Sequence, residues 1–442
     1  MKRIFPEFTY GPGPRMGCWW DETIAAPDWP VLDQPVQTDV AIIGGGFTGV
    51  SAALHLSERG CRVALLEAQT PGWGASGRNG GFCCLGGAKT SDAALTREFG
   101  QEAAQDYRLS ERAAVDLVDQ LLDRLNIDAD RHSKGETMLA HRPRDAERFK
   151  DEAEQMARNG EPEPTLIEAA DLAGHGMNGP FHGALTTPAG FALNPRKYLF
   201  GLAHAAMAQG AQLFQQSPAT TLQRNGMTWR IDTPRGSVTA ETVIVATNGY
   251  SSEDVPGWMA GRYLPSQSNV TVTRPLTDAE IAAQGWHSDQ MAYDTRNLLH
   301  YFRLMPDRRF LFGLRGGLMS SPAAEARARR RNRRDFEHMF PAWCDVPSEN
   351  QWSGLVCLSR RRVPFVGPVP GQPGLFAGFA YHGNGVAMGS YSGRLLADLA
   401  LSINPHLPYS KAMSTLPPRF PLGRLRRLLM PAAYLYYGIR DL

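Results

Sequence analysis

The chain has 442 residues, 43% of them hydrophobic and 20% charged, and its formal net charge is +2. This composition is typical of a globular protein of two or three domains; it excludes a largely disordered chain and gives no reason to expect nucleic acid as a partner. The six cysteines lack Cys-x-x-Cys spacing and no apolar stretch is long enough to span a membrane, so we predict no metal site and a cytoplasmic location.

Residues 1–37 are predicted to form an irregular leader, because prolines recur throughout them and prevent long helices. Trp19 and Trp20 can either pack this leader onto the body of the protein or line a substrate entrance. Large apolar rings favour packing, so we expect the two tryptophans to hold the leader in place.

Residues 40–67 carry the most informative motif of the chain. An apolar strand over residues 40–43 leads into Gly44, Gly46 and Gly49, and helical spacing then continues to Gly60. A second apolar strand over residues 62–66 ends at Glu67. Glycines at this spacing let the backbone approach a pyrophosphate, and an acidic residue after the second strand can accept hydrogen bonds from a ribose. The motif predicts a dinucleotide site.

A second glycine-rich stretch, residues 72–81, follows directly after Glu67 and contains Arg78. Such a loop exposes backbone N–H groups to a phosphate or a flat ring, and Arg78 adds positive charge. The alternative is a flexible linker. Its position after the ribose-binding strand favours contact with the ligand.

The middle of the chain is predicted to hold a second domain and then to return to the first sheet. Helices are expected over residues 90–125, 145–158 and 195–208. Short strands are expected over residues 135–140, 181–187, 212–216, 221–224, 228–233 and 237–239. A buried strand over residues 242–249 resembles the first strand, which indicates a nucleotide domain assembled from separated segments.

The last third supplies further strands over residues 270–273, 299–304 and 310–313, followed by an arginine-rich helix over residues 323–340. This helix has no interleaved aromatic residues, so we expect a solvated face and not a nucleic-acid site. A strand and glycine loop over residues 374–385 lead into a helix over 386–401, whose N-terminus can stabilise negative charge. The basic, apolar tail (420–442) is expected to pack onto the body, interrupted at Pro431; a membrane-surface helix is the alternative.

In this order, the motifs resemble those of the D-amino-acid oxidase superfamily of flavin enzymes, and most closely its γ-glutamylputrescine oxidase branch. The likeness is carried by residues 73–81, 352–355 and 382–385. It implies an α/β protein with a Rossmann-like, glutathione-reductase-type FAD domain in separated segments and an inserted α+β substrate domain on a mixed or antiparallel sheet. The expected FAD-binding segments are 38–90, 191–255 and 355–410, and the substrate-binding segments are 91–190 and 256–354.

The resemblance also implies FAD as the cofactor and oxidation of a C–N bond in an amine or an N-substituted amino acid. Carried over to this sequence, the cofactor-binding residues are Gly44, Gly46, Phe47, Thr48, Gly49, Glu67, Ala68, Gly74, Ala75, Ser76, Arg78, Asn79, Gly80, Gly81, Ala246, Thr247, Gly249, Gly378, Gly383, Asn384, Gly385 and Val386. The stretch around Cys357 resembles the one that carries the flavin-linking cysteine in monomeric sarcosine oxidases, so covalent attachment at Cys357 is the alternative. A buried cysteine is more often a small core residue, so we expect non-covalent FAD.

For catalysis we single out Tyr301, Arg303 and His382. Strand alternation puts Tyr301 and Arg303 on one face with Leu299, where Tyr301 can wall a pocket and Arg303 can pair with a substrate carboxylate. The alternative for Arg303 is a structural ion pair, and for His382 a structural role in its loop. No base or pocket lysine is identified, which leaves the electron acceptor open between O2 and another redox partner. Alternative functions are a flavin dehydrogenase of a hydroxy acid or polyol phosphate, and a non-catalytic flavin-binding redox protein.

Overall fold

A computed structural model describes residues 1–159, 161–318 and 320–441. Its strands are β1 Pro35–Ile43, β2 Val63–Leu66, β3 Phe82–Cys83, β4 Glu136–Leu139, β5 Thr165–Glu168, β6 Gly183–Thr187, β7 Phe191–Ala192, β8 Gln212–Phe214, β9 Thr221–Asn225, β10 Thr228–Asp232, β11 Ser237–Val245, β12 Leu264–Val272, β13 Met291–Asp294, β14 His300–Leu304, β15 Phe310–Arg315, β16 Asn350–Leu358, β17 Phe365–Pro368 and β18 Leu375–Phe379. Its helices are α1 Trp20–Thr23, α2 Phe47–Ser57, α3 Asp92–Phe99, α4 Gln101–Arg124, α5 Pro143–Arg158, α6 Pro195–Ala208, α7 Asp278–Gln284, α8 Pro322–Met339, α9 Ala387–Ala400, α10 Lys411–Ser414 and α11 Leu429–Arg440.

The first sheet has the strand order β17-β18-β11-β1-β2-β8, and the strands from β18 to β8 run parallel. Strand β17 pairs antiparallel with β18, and β9 and β10 form an antiparallel extension from β11. Strand β2 and the C-terminal halves of β1 and β11 are apolar and buried. Helices cover one face of the sheet, and Trp229 and Ile231 of β10 join the apolar cluster on the other. The prediction of an α/β sheet of the FAD-binding type, built from separated segments of the chain, is confirmed.

Helix α2 follows β1 and packs with α6 and α9 on one face of this sheet. Every residue of α2 is buried, which suits a helix held between a sheet and other helices. It ends before Gly60, whose φ of +80° matches the predicted stop. The parallel strands therefore all present their carboxyl ends at the N-terminus of α2.

The second sheet has the order β16-β12-β15-β14-β13-β4-β6-β5. Its pairs are antiparallel except β13 with β4, so the predicted mixed sheet is confirmed. One face packs against α8 through a cluster of aromatic rings that includes Phe302, Phe310, Phe336 and Trp343. The opposite face is turned to the first sheet.

Three predicted elements differ from the structure. The single helix over residues 90–125 is wrong, because Gly100 adopts a φ of +93° and separates α3 from α4. Helix α4 packs against α9 of the first sheet, although its residues were assigned to the substrate domain. Strand β16 continues the second sheet through Leu358, so residues 355–358 lie there and not with the FAD-binding segments.

Both ends of the chain contact the body. Trp20 of the leader is buried, and its indole N–H donates to the Asn79 carbonyl at 2.8 Å. In the tail, Pro431 lies in the first turn of α11 and does not interrupt it, because proline is tolerated there. The Tyr434 hydroxyl lies 2.8 Å from the Ser266 hydroxyl, while Leu435 on the same helix is exposed.

Within the described ranges, no helix is long and apolar enough to cross a membrane. The same part of the chain contains no group of three or more His, Cys, Asp or Glu side chains placed to hold a metal ion. Arg327, Arg330 and Arg334 of α8 are exposed, while Arg333 pairs with Glu337 on the same helix.

Candidate active site

A long cleft lies between the two sheets. The first sheet contributes the residues that follow its strands, Gly44 after β1, Glu67 after β2 and Ala246 after β11. The second sheet contributes side chains such as Tyr293 and Tyr301. Ligands of open parallel sheets bind at the carboxyl ends of the strands, so this is where a dinucleotide is expected.

The glycine turn after β1 is too tight for any other residue at two positions. Gly44 has a φ of +113°, and a Cβ there would lie 2.7 Å from the Ala246 carbonyl oxygen. A Cβ on Gly49 would lie 1.9 Å from the Gly44 carbonyl oxygen. The glycines thus bring α2 close to β1 and leave its N-terminal N–H groups open to the cleft, as an anion site requires.

Glu67 is held at the end of β2 by the backbone. Its carboxylate accepts hydrogen bonds from the N–H groups of Gly45 and Gln69, at 3.0 and 2.9 Å. Burial is the main cause that raises the pKa of Glu67, and these two hydrogen bonds oppose the rise. The carboxylate is fixed in position and retains lone pairs for ribose hydroxyls.

The loop over residues 72–81 folds against the glycine turn. The Ser76 hydroxyl accepts a hydrogen bond from the Phe47 N–H at 2.9 Å. The Asn79 amide donates to the Ala75 and Ser76 carbonyls and accepts from the Gly81 N–H, so this side chain shapes the loop. The loop is an ordered wall of the cleft and not a flexible linker.

Two buried polar atoms at the cleft test whether an anionic cofactor fits. Arg78 is 1% exposed and donates from Nε to the Trp73 carbonyl and from Nη1 to the Ser353 carbonyl, but its buried Nη2 has no partner. The Tyr250 hydroxyl is buried without a partner as well. Both residues line the cleft. Unpaired buried donors beside the glycine turn and the Glu67 carboxylate fit the polar atoms of FAD.

His382 lines the cleft, but both of its ring nitrogens are used within the chain. Nδ1–H donates to the Gly87 carbonyl at 2.6 Å, and Nε2 accepts from the Ser359 N–H at 3.1 Å. Burial lowers the pKa of His382 to about 3, so the ring is neutral. His382 therefore ties three loops together and has no nitrogen left for a substrate.

Tyr301 and Arg303 share a face of β14 but differ in role. Tyr301 lines the cleft, and its hydroxyl lies 2.9 Å from the Ser268 hydroxyl. Arg303 lies behind the cleft and is 1% exposed. Its guanidinium donates to the Gly80 and Leu193 carbonyls and to His132 Nε2, at 3.1, 2.8 and 2.9 Å. Three of the five guanidinium N–H donors are thus used within the chain and Arg303 does not line the cleft, so the structure favours a structural role over the predicted pairing with a substrate carboxylate.

Most predicted cofactor residues do line the cleft: Gly44, Gly46, Phe47, Thr48, Glu67, Ala68, Gly74, Ala75, Ser76, Arg78, Asn79, Gly80, Ala246, Thr247, Gly383, Asn384, Gly385 and Val386. Four glycines lie behind it, namely Gly49, Gly81, Gly249 and Gly378. A Cβ on Gly81 would lie 1.9 Å from the Leu193 carbonyl oxygen, and one on Gly378 would lie 2.8 Å from the Leu396 side chain. These glycines permit close packing behind the cleft instead of facing a ligand.

Sequence reasoning missed four charged residues that line the cleft, namely Arg3, Lys89, Glu136 and Arg315. Burial raises the pKa of Glu136 to about 7. Glu136 and Arg315 belong to β4 and β15, close to strands that the sequence predicts. An ionisable side chain within an otherwise apolar strand was the available signal.

Cys357 also lines the cleft and is 1% exposed. Burial raises the pKa of its thiol to about 12. The protonated thiol is a poor nucleophile.

Comparison with known proteins agrees with this geometry. The family model DAO, described as FAD dependent oxidoreductase, matches residues 39–399. The chain is 30% identical to a probable oxidoreductase OrdL of Rhizobium meliloti over 96% of this chain and 97% of that protein. It is 28% identical to gamma-glutamylputrescine oxidoreductase of Escherichia coli, covering 93% and 94% of the two chains. Glycine oxidase from Geobacillus kaustophilus shares the fold with a TM-score of 0.70 at 22% identity, covering 86% of this chain and 98% of that one.

Proposed function

The chain belongs to the DAO family of FAD-dependent oxidoreductases, and from this premise we propose that it oxidises a carbon–nitrogen bond in an amine or an N-substituted amino acid. The observation that carries the proposal is the continuity of the cleft. It runs from the ribose acid Glu67 and the glycine turn to the side chains of the second sheet, so cofactor and substrate sites share one space. Similarity to gamma-glutamylputrescine oxidoreductase supports a γ-glutamylated polyamine as the first substrate to test.

FAD would be held along the first-sheet side of the cleft by the residues that line it. Glu67 would bind the ribose, the α2 N-terminus the pyrophosphate, and Ser76, Arg78 and Gly80 the part nearer the second sheet. We propose that attachment is non-covalent, because the Cys357 thiol is protonated and lies within β16. When bound, FAD would accept the hydride that leaves the substrate carbon and, with it, both electrons of the oxidation.

The chain contributes binding, orientation and exclusion of water. Tyr293 and Tyr301 line the second-sheet side of the cleft, and a substrate amine buried against them would lose hydration, which disfavours its charged form. The N-terminus of α9, which follows Val386, directs partial positive charge at the cleft and would stabilise negative charge that develops there. The oxidised product, an imine, hydrolyses in water to an aldehyde or a keto acid.

Anaerobic reduction of the purified holoenzyme tests the proposal. γ-Glutamylputrescine, glycine and N-methyl amino acids are added singly, and loss of the visible flavin absorbance is recorded. Bleaching by an amine supports the proposal; free putrescine shows whether the γ-glutamyl group is needed. Bleaching by hydroxy acids or polyol phosphates alone would instead identify a dehydrogenase of those substrates. Readmission of air then shows whether O2 is an electron acceptor.

A further inference from the structure

The outer side of the C-terminal helix α11 is apolar and exposed to solvent. Leu428, directly before the helix, and Leu435 and Ile439 within it are 58%, 68% and 62% exposed. Ala432 and Tyr436 are exposed as well, so exposed residues recur at i, i+4, i+7, i+8 and i+11 from Leu428. Positions with this spacing lie on one side of an α-helix. These five residues therefore form a continuous apolar surface, which we call the tail stripe.

The opposite side of α11 holds the helix on the body of the protein. Met430 is buried in the apolar cluster beside the first sheet. The Tyr434 hydroxyl lies 2.8 Å from the Ser266 hydroxyl. Directly after the helix, the Asp441 carboxylate accepts a hydrogen bond from the Asn297 N–H at 2.8 Å. Contacts on the inner side of α11 thus keep the tail stripe turned outward, in a fixed position for a partner.

The segment that leads into α11 extends this apolar surface. Leu416, Leu422 and Leu425 are exposed. Single exposed apolar side chains are common on proteins, but a group of them is typical of an interaction surface. We therefore expect the tail stripe to be covered by a partner.

Positive charge accompanies the tail stripe. Residues 411–440 contain six basic residues and no acidic residue. Of these basic residues, Arg424 and Arg440 are exposed and Arg427 is half-buried. By helical position, Arg427 and Arg440 lie on opposite borders of the stripe. Because an arginine can lay its apolar stem along such a surface while its guanidinium stays in polar surroundings, the surface is apolar in the middle and cationic at the edges.

This charge distinguishes between the possible partners. In a two-fold dimer the same stripe would lie on both copies of the chain, so two positively charged surfaces would meet. An anionic lipid surface complements the arginines and takes up the apolar side chains. With 12 residues, α11 is too short to span a bilayer, so it would lie in the plane of the membrane surface.

We propose that the tail stripe docks this protein on the surface of a membrane that contains anionic phospholipids. Leu435 and Ile439 enter the boundary between headgroups and acyl chains, and Arg427 and Arg440 bind lipid phosphates on the two sides of the helix. The long axis of α11 lies parallel to the membrane.

Docking would also bring one side of the cleft near the lipid. Tyr434 of α11 contacts β12 at Ser266, two residues before Ser268, which lines the cleft. The second-sheet side of the cleft therefore lies beside the surface that we expect to meet the membrane.

Co-sedimentation of the purified holoenzyme with lipid vesicles tests the proposal. Vesicles of phosphatidylcholine alone are compared with vesicles that also contain about 30% phosphatidylglycerol. We expect the native protein to bind the anionic vesicles at least about 10-fold more tightly, and to lose this preference near about 1 M salt, which screens the arginines. Leu435→Glu combined with Ile439→Glu should weaken binding to anionic vesicles by at least about 10-fold, because carboxylates oppose both insertion and the lipid charge.

Leu109→Glu combined with Met227→Glu is the matched control. Both positions are exposed, on α4 and in the turn between β9 and β10, so this variant should bind vesicles like the native protein. Leu425→Gln combined with Leu428→Gln adds no charge and should also weaken binding; it provides a second test if the first variant folds poorly. Light scattering of the lipid-free proteins gives their oligomeric state.

Two results would overturn the inference directly: equal binding of the native protein to both kinds of vesicle at low salt, or unchanged binding after Leu435→Glu with Ile439→Glu. A lipid-free native dimer that the same double substitution converts to a monomer would overturn it as well, because the tail stripe would then join two copies of this chain. Flavin bleaching by amines is a separate measurement, so failure of the proposed function would leave this result unchanged.

Discussion

Arg303 holds the cofactor side of the cleft from behind. Its guanidinium joins β14 to the Gly80 carbonyl of the glycine-rich loop and to the Leu193 carbonyl before α6. Burial lowers its pKa to about 9. With three partners, the buried guanidinium fixes the position of the backbone segments that it contacts. Each carbonyl that its removal leaves unpaired should lower the free energy of unfolding by roughly 1–3 kcal/mol.

We therefore predict that Arg303→Lys lowers the free energy of unfolding by about 2 kcal/mol, because lysine cannot reach all three acceptors. Chemical denaturation followed by fluorescence measures this change. The preference for amines with a carboxylate over amines without one should stay within about 2-fold, since Arg303 does not touch the substrate. Arg330→Lys, on the exposed face of α8, is the matched control. Selective loss of carboxylate-bearing substrates would contradict the assignment.

His382 gives stability that depends on pH. Its folded pKa of about 3 lies below the unfolded value of about 6.5, so protons bind preferentially to the unfolded chain as the pH falls. The contribution is complete above about pH 6.5 and is lost below it.

His382→Asn tests this sign, because asparagine tolerates the φ of +51° at this position and does not titrate. We predict that the stability advantage of the native protein over the variant shrinks by about 1.4 kcal/mol per pH unit below about pH 6.5. It should stay constant between about pH 7 and pH 8. Urea denaturation at each pH gives the difference, and an advantage that grows on acidification would show that His382 is charged in the folded protein.

Residues that act through local spacing were predictable, and residues that meet only through the fold were not. Gly44 and Glu67 belong to one strand–helix–strand unit, so their spacing indicates their place. Lys89, Glu136 and Arg315 come from a loop and two distant strands, and only the packing of the two sheets brings them to one cleft. Arg303 lies on the predicted face, but alternation along a strand does not show which side chain reaches the cleft and which stops behind it.

At the scale of elements, the close packing of α2 on β1 depends on Gly49. A Cβ there would lie 1.9 Å from the Gly44 carbonyl oxygen. Because this oxygen belongs to the backbone, no side-chain rotation can make room for the added methyl group. Any displacement moves the glycine turn and the N–H groups at the start of α2. The same helix therefore links core packing to cofactor affinity.

Gly49→Ala should weaken FAD binding by about 3 kcal/mol, or about 100-fold, because the turn must open to admit the methyl group. Titration of the apoprotein with FAD, followed by quenching of flavin fluorescence, measures the affinity. Gly257→Ala is the matched control, since no atom lies within 4 Å of a Cβ at that exposed position. Equal affinities of the two variants would show that the turn has room that the structure does not suggest.

Helix boundaries show where element prediction failed. Gly100 divides the helix predicted over residues 90–125, because a single glycine in an otherwise helical pattern does not reveal that it adopts a positive φ. Helix α4 packs on α9 and belongs to the apolar core that also includes α2 and α6, beside the first sheet. The amphipathic pattern of α4 predicted that one face is buried, but it does not show which element packs against that face.

At the scale of the whole molecule, the N-terminal leader ties three parts together. Asp21 forms ion pairs with Arg15 and with Arg196 of α6. Arg15 also donates to the carbonyls of Gly72 and Trp73, at 2.9 and 3.1 Å. The leader thus fixes the start of the glycine-rich loop against α6. The sequence predicted only that the proline-rich leader is irregular and packs on the body, not that it makes these contacts.

Asp21→Asn should weaken this connection, because it leaves two buried guanidinium groups, 7% and 5% exposed at Arg15 and Arg196, without their shared carboxylate. Asp21 is itself partly exposed, so we expect a loss of about 1–3 kcal/mol in unfolding free energy, smaller than for a fully buried pair. The loop that the leader restrains lines the cofactor cleft, so FAD affinity should fall by about 10-fold, and saturating FAD should restore part of the lost stability. Thermal unfolding of apoprotein and holoprotein, with Asp33→Asn at an exposed leader position as control, measures both effects. A variant that loses stability but binds FAD as tightly as the native chain would show that the leader stabilises the fold without restraining the loop.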